Sequence, residues 1–314
     1  MSDFRDRIVT FDSKDEWLAF KRKTISATDV IAIVGLPYFG RTAMSVFMDK
    51  VDPDYESLGS SAMARGTAME PFLVAAYAES QCVRMLDVPR WWCVTHPTLP
   101  WLSCSPDGIV DETSGNPWLL EAKTSRTRSG WQPPSEMPDG VPEAYIVQCA
   151  IQMACCDLDP CALVAAVGSL DDFRVYQIER NARLETTLIA RATEFYENHL
   201  KPEVFPEWDG SEGADRLLRS LFPHNTTTDQ LREIEDPDEL AAVDALWRAW
   251  NVIEGGTQQH AVARQRCEEI IGDSPGICGP GFKFTWKIQG SGRVFRPTFY
   301  EDFTPTTEET DEHE

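Results

Sequence analysis

The sequence predicts an α/β (α+β) protein. Helical and strand-like stretches alternate between residues 13 and 200. A short, wholly apolar run at 162–167 reads as a buried strand. A further run at 282–288 alternates apolar and polar side chains (Phe282, Phe284, Trp286, Ile288) and pairs with 294–299 as a C-terminal hairpin. The chain has 314 residues, enough for one large domain or two modest ones. With 42 % apolar and 10 % aromatic residues it can build a core.

Residues 13–23 read as an amphipathic helix with Ser13 as N-cap and Glu16 at capping-box spacing. A second helix runs from Thr28 to about Val34, where Gly35 and Pro37 stop it. Residues 42–50 form a third. The stretch 62–80 is helical from Thr67 onward, with Pro71 expected in the first turn. Strands follow at 91–95 and 101–104, then a tight turn at Ser105-Pro106-Asp107-Gly108. Residues 109–111 and 118–123 make a hairpin across 112–117. A loop at 125–142, a helix to about Cys156, strands at 162–167 and 173–179, and a helix at 182–200 complete the region. Composition then changes. The expected organisation is a domain at 1–201, a linker at 202–229, and an extension at 230–299 with a helix at 237–271 and the hairpin. A disordered acidic tail at 300–314 ends it.

Acids outnumber bases 51 to 29, for a formal net charge of −22. That balance would ordinarily repel nucleic acid. Seven acids lie in residues 300–314, however, which leaves −15 for the rest. Local cationic stretches remain around Lys21 and Arg22 and in the loop carrying Arg126 and Arg128. No run of about 18 apolar residues suggests a membrane span, and the start lacks a signal peptide's apolar core, so a cytoplasmic protein is expected. The nine cysteines form no C-x-x-C pair and read as reduced thiols. Cys149, Cys155 and Cys156 are expected as small buried hydrophobes.

Four features share one chemical logic. Asp107 closes a tight turn. Glu121-Ala122-Lys123 lies at the end of an apolar strand fourteen residues later. Side chains alternate along a strand, so Glu121 and Lys123 share a face that Asp107 can reach. Glu70 lies near the start of a helix, and Gln148 and Gln152 are four apart on one helical face. Clustered carboxylates repel unless a cation joins them. Their hard oxygens suit Mg²⁺, with Mn²⁺ as a substitute, and lysine can serve a phosphate or a water. Bland readings stand beside these. Glu70 would compensate helix charge, Gln148 would be a half-buried helix residue, and Thr28 would be an N-cap.

Taken together, Pro106-Asp107 and Glu121-Ala122-Lys123 resemble the PD-(D/E)xK nuclease signature. Ile25-Ser26-Ala27-Thr28-Asp29, Arg65-Gly66-x-x-x-Glu70-Pro71 and Tyr145-x-x-Gln148-x-x-x-Gln152-Met153 are similar to motifs of the YqaJ-type viral recombinase branch, which includes phage-lambda-type exonucleases. The likeness covers about residues 20–200. Thr28 replaces the usual serine and Ala150 a frequent second glutamine.

The resemblance implies a restriction-endonuclease-like core, a mixed central sheet flanked by helices. It implies Mg²⁺ held by Asp107, Glu121, the Ala122 carbonyl and Glu70, with Lys123 assisting the attacking water. Gln148 would orient the strand or the lysine. Thr28, Ser26, Lys21 and Arg22 would contact a 5′-phosphate. Arg65 and Gln152 would line the DNA path. Beside the resemblance, the loop carrying Arg126, Arg128 and Trp131 supplies cations and an aromatic that could grip a DNA backbone and stack on a frayed base. No iron–sulfur cluster is expected. The implied activity is a 5′→3′ exonuclease on double-stranded DNA ends in phage-type recombination, as a ring-like homo-oligomer working with a single-strand annealing protein. The alternatives are an endonuclease or a Cas4-like end-processing nuclease, and a non-enzymatic DNA-end-binding module.

Overall fold

The computed structural model describes residues 3–53, 55, 61–111, 116–221, 237, 252, 267, 275–279, 282–289 and 292–299. The chain divides into two units, Met1–Asn225 and Thr226–Glu314. Among the described residues no helix is long and apolar enough to cross a membrane.

The first unit opens with β1 (Ile8–Thr10) and α1 (Lys14–Arg22). Ser13 caps α1 by accepting from the Glu16 amide. The Glu16 carboxylate accepts from the Asp12 amide at 3.1 Å, one residue further back than an ideal capping box. After β2 (Ile25–Ser26), α2 (Ala27–Ile33) is capped by Ser26, not by Thr28. Ser26 and Asp29 satisfy each other's backbone donors, a full capping box. A third helix, α3 (Ala43–Val51), starts at Thr42, whose side chain accepts from the Ser45 amide.

The next helix corrects an expectation. Helix α4 (Ser61–Gln81) carries Pro71 in its interior, not its first turn. A proline there has no N–H, so the Thr67 carbonyl loses its usual partner four residues on. Glu70 therefore sits mid-helix, where compensation of the helix-terminal charge no longer accounts for it.

Strands β3 (Trp92–Thr95) and β4 (Leu102–Cys104) join β1 and β2 in a four-stranded sheet of order β1-β3-β4-β2. The second sheet carries the site. It contains β5 (Gly108–Val110), β6 (Trp118–Ser125), β7 (Cys161–Val167) and β8 (Phe173–Ile178), in that order. The expected β5–β6 hairpin is antiparallel with Gly108 opposite Leu120; its connection at 112–115 lies outside the described residues. β6 and β7 run parallel, with Glu121 opposite Leu163, and α5 (Glu143–Cys156) crosses between them. β8 returns antiparallel, so the sheet is mixed.

Strand β7, Cys-Ala-Leu-Val-Ala-Ala-Val, is buried throughout because both faces of this sheet are covered. Cys161, Leu163, Ala165 and Val167 join the core that includes Ile151 and Met153 of α5. Ala162, Val164 and Ala166 join a second core with Leu73 and Tyr77 of α4. In β6, Leu119 belongs to the first core and Leu120 and Ala122 to the second. Glu121 and Lys123 share the parity of Leu119, so they point toward α5. Burying one such aliphatic side chain contributes about 1.5–3 kcal/mol. Ile151→Ala would therefore loosen the wall that positions both glutamines.

Helix α6 (Ala182–Phe195) continues as a π turn, Tyr196–Leu200. The stretch read as a linker then differs from expectation. It holds α7 (Glu212–Leu221), which buries Ala214 and Leu217 and packs against α3. The strong helical amphipathicity of 212–221 was masked by the Pro, Gly and Asp residues before it. Residues 222–229 of that stretch lie outside the described residues.

In the second unit, β9 (Gly276–Gly279), β10 (Phe282–Gln289) and β11 (Gly292–Phe299) form an antiparallel sheet of order β11-β10-β9. The expected hairpin pairs Phe282 with Phe299 and Gln289 with Gly292. Pro297 lies in an edge strand, where its missing donor is tolerated. Residues 237, 252 and 267 of the expected 237–271 helix are helical; the rest of that stretch, the turn at 290–291 and the 300–314 tail lie outside the described residues.

Candidate active site

Adjacent strands β5 and β6 bring Asp107 beside Glu121-Ala122-Lys123. Asp107 immediately precedes β5, and its Oδ2 accepts from the Ala122 amide at 2.7 Å. Glu121 is buried at the centre of β6. Its oxygens take two short bonds from α5: Gln148 Nε2 donates to Oε1 at 2.6 Å and Gln152 Nε2 to Oε2 at 2.6 Å. Lys123 Nζ also donates to Glu121 Oε1 and lies 5.2 Å from the Tyr145 ring centroid. A carboxylate only accepts, so it dictates which end of each glutamine amide faces it. Each Oε1 is thereby turned away, buried without a partner.

The site opens into a cleft of about 180 Å³ lined by residues that include Tyr38, Phe39, Gly66, Thr67, Glu70, Asp107, Lys123 and Tyr145. Three carboxylates face one ammonium here. Burial and the Glu121 charge, with Glu70 adding to them, push the Asp107 carboxyl well above its ordinary range. Burial and Glu121 likewise raise Glu70. Burial alone would lower Lys123, but Glu121, Tyr38 and Asp107 outweigh it and hold the amine well above its usual value. Lys123 is thus an ammonium at neutral pH. In that form it can donate to an anion or orient a water.

Residues 16–159 match the model of the YqaJ-like viral recombinase domain. The chain is 25 % identical over 213 residues, 67 % of its length, to the uncharacterized protein YqaJ of Bacillus subtilis (strain 168), and it covers 64 % of that protein's own length. Among solved structures it is similar to an alkaline exonuclease, LHK-Exo, from Laribacter hongkongensis, at 25 % identity and a TM-score of 0.48, covering 66 % of this chain and 100 % of that one. It is also similar to a phage-related exonuclease from Haemophilus somnus 129PT, at 10 % identity and a TM-score of 0.41, covering 63 % and 96 % respectively.

All the residues just described, from Tyr38 to Gln152, lie within the matched segment 16–159. Whether they suit a divalent cation is decided by donor chemistry. Among the described residues no group of three or more His, Cys, Asp or Glu side chains stands ready-made at chelating distance. Glu121 is turned onto its glutamines and lysine. The donors are nonetheless hard carboxylate oxygens, and the raised Asp107 and Glu70 values record an excess of negative charge that a divalent cation would relieve. The set fits such an ion.

The residues expected to contact a phosphate lie apart from this cleft's carboxylates. Ser26 Oγ donates to Asp29 Oδ2 at 2.7 Å and lies 3.1 Å from the Thr28 hydroxyl. Arg41 Nη2 and Lys50 Nζ clamp the buried Asp29 carboxylate at 2.7 and 2.9 Å. The sequence reading missed both cations, because nothing marks them until α3 folds back against α2. Lys21 Nζ lies over the Trp17 ring at 4.5 Å, and Arg22 donates to the Pro53 carbonyl at 2.9 Å.

The DNA-path candidates divide. Arg65 and Arg126 are exposed, and Arg128 is exposed but pairs with Asp172 at 3.2 Å. Two expectations are corrected. Trp131 is buried against the rings of Tyr145 and Tyr176, at 5.5 and 5.6 Å, so it is core and not a stacking surface. Gln152 is buried and holds Glu121, so it does not touch a DNA strand. Gln148 orients Glu121, not the lysine. Cys149, Cys155 and Cys156 are buried in α5.

Proposed function

We propose that this protein is a divalent-metal-dependent exonuclease that hydrolyses phosphodiester bonds from the ends of linear double-stranded DNA, with 5′→3′ polarity, in phage-type recombination. The observation that carries this reading is the convergence of Asp107, Glu70 and Lys123 on one cleft, with the buried Glu121 bonded to Lys123 behind it. Asp107, Glu121 and Glu70, with the Ala122 carbonyl, would hold Mg²⁺ or Mn²⁺. When bound, such an ion supplies Lewis acidity toward the phosphate and makes a water more acidic.

The protein's own groups do the rest. Gln148 and Gln152 fix the Glu121 carboxylate beside Lys123. Lys123, kept protonated, donates to the attacking water or to a phosphoryl oxygen as negative charge develops. The partly exposed Thr28, whose hydroxyl lies 3.1 Å from that of Ser26, receives a terminal 5′-phosphate. The exposed Arg126 and Arg128 lie along the duplex. Likeness to the YqaJ-like domain family supports the recombination role, and with it a ring-like oligomer, a single-strand annealing partner and a cytoplasmic location.

Linear and closed-circular duplex DNA, incubated with Mg²⁺, Mn²⁺ or EDTA, test the reading. Metal-dependent loss of linear DNA only, abolished in Asp107→Asn, is the expected result. Cutting of circles would favour an endonuclease. No cleavage with any metal would leave a DNA-end-binding module. Faster digestion of 5′-phosphorylated than 5′-hydroxyl ends would support the polarity and the Thr28 assignment.

A further inference from the structure

The segment joining α2 to α3 contains an unusual residue choice. Phe39 has φ of 50° and is followed by Gly40 at φ 71°. Glycine adopts that left-handed conformation freely, whereas a phenylalanine Cβ is crowded there, and such strain persists only where something holds it. The turn sends three side chains in three directions. Tyr38 packs edge-on against Tyr145, with centroids 6.5 Å apart. Arg41 turns back to the Asp29 carboxylate. Phe39 is left 50 % exposed on the wall of the cleft that holds Glu70, Asp107 and Lys123. Its ring is not loose, because it stands edge-on to Tyr38 at 4.9 Å.

An exposed phenylalanine on a strained turn does little for folding. What it offers is a flat apolar face, backed by a second ring, at the mouth of a charged cleft. A phosphodiester bound in that cleft carries nucleobases within a few ångströms, and base–aromatic stacking is strong and indifferent to sequence. We propose that Phe39 is a stacking platform for a nucleobase at the frayed DNA end, positioning the strand next to the scissile phosphate. This rests on the nuclease reading above. It also assigns the stacking role first given to Trp131 to a residue that solvent can reach.

The test uses linear duplexes carrying the fluorescent base 2-aminopurine at each of the first three positions of the 5′-ended strand. Ca²⁺ replaces Mg²⁺ to permit binding without turnover. Wild type and Phe39→Trp are expected to quench one of these positions, and Phe39→Asn, a residue that tolerates the left-handed turn, to lose that quenching. In Mg²⁺, Phe39→Asn should raise KM for linear duplex about tenfold, in line with the loss of one stacked base. Phe39→Leu, which keeps apolar bulk without a flat face, should behave like Phe39→Asn. Digestion by the wild type with no quenching at any position would overturn the proposal while leaving the nuclease reading intact. So would unchanged quenching and KM in either variant. Absence of digestion by the wild type with any metal would instead sink the nuclease reading.

Discussion

Two buried carboxylates in this protein sit in opposite electrostatic settings. Asp29 lies between Arg41 and Lys50 and accepts two further bonds from Ser26. Burial alone would raise its pKa, but Lys50, Arg41 and Lys21 outweigh it and hold the carboxyl below its ordinary range. Asp107 has one backbone donor and two carboxylate neighbours, and burial and those neighbours raise it. The first cluster is charge-matched and built for stability. The second is left short of positive charge, which is a stability liability and a reason to bind a cation. A raised carboxylate marks the cluster that a cation would stabilise, and a lowered one marks the cluster whose charges are already matched.

The largest effect tests the deficient cluster. Asp107→Asn keeps an acceptor for the Ala122 amide but removes a charge. Nuclease activity should fall at least a thousandfold, about 4 kcal/mol of barrier. Its metal-free melting temperature should hold or rise. A large loss of stability would contradict the view that Asp107 is under repulsion.

For the matched cluster the expected loss is in stability. Asp29→Asn strands Arg41 and Lys50 in a buried site and should lower the unfolding free energy by about 3–4 kcal/mol in urea titrations at pH 7. The pH dependence has a definite sign. Because the folded pKa of Asp29 lies below its unfolded value, its contribution is complete above the ordinary carboxylate range. It is lost as pH falls from there toward the folded value. The gap between wild type and Asp29→Asn should therefore narrow on acidification. A gap that widens would reverse the assignment.

Smaller again is Gln152→Leu, which leaves one oxygen of buried Glu121 without its donor. A loss of about 1–3 kcal/mol is expected, with reduced activity as Glu121 loosens. Equal activity would mean that Gln148 and Lys123 suffice to hold Glu121. Smallest is Arg128→Ala, whose solvent-screened pair with Asp172 should leave stability essentially unchanged. Any effect there belongs to DNA binding and should fade as salt rises.

Much of the strand pair that carries Asp107, Glu121 and Lys123 was legible in the sequence. Side chains two apart on a strand share a face, so Glu121 and Lys123 had to align, and a tight turn had to return Asp107 to them. The α5 periodicity put Gln148 and Gln152 on one side. The helix cap at Ser13 was equally local. Less legible were features set by distant packing. Pro71 inside α4 defies local propensity, and the burial of Leu73 and Tyr77 against the sheet accounts for it. Trp131 looked like a loop aromatic because its partners, Tyr145 and Tyr176, are remote in sequence.

The sequence alone determined the chemistry available, two carboxylates and a lysine at strand spacing with a third carboxylate in reserve, because short-range geometry is dictated by backbone periodicity. Tertiary structure decided what each group does. It turned both glutamines onto Glu121, clamped Asp29 with two unforeseen cations, hid Trp131 and exposed Phe39. Those outcomes depend on which helix covers which face of the sheet, a property of the whole core that no local spacing encodes.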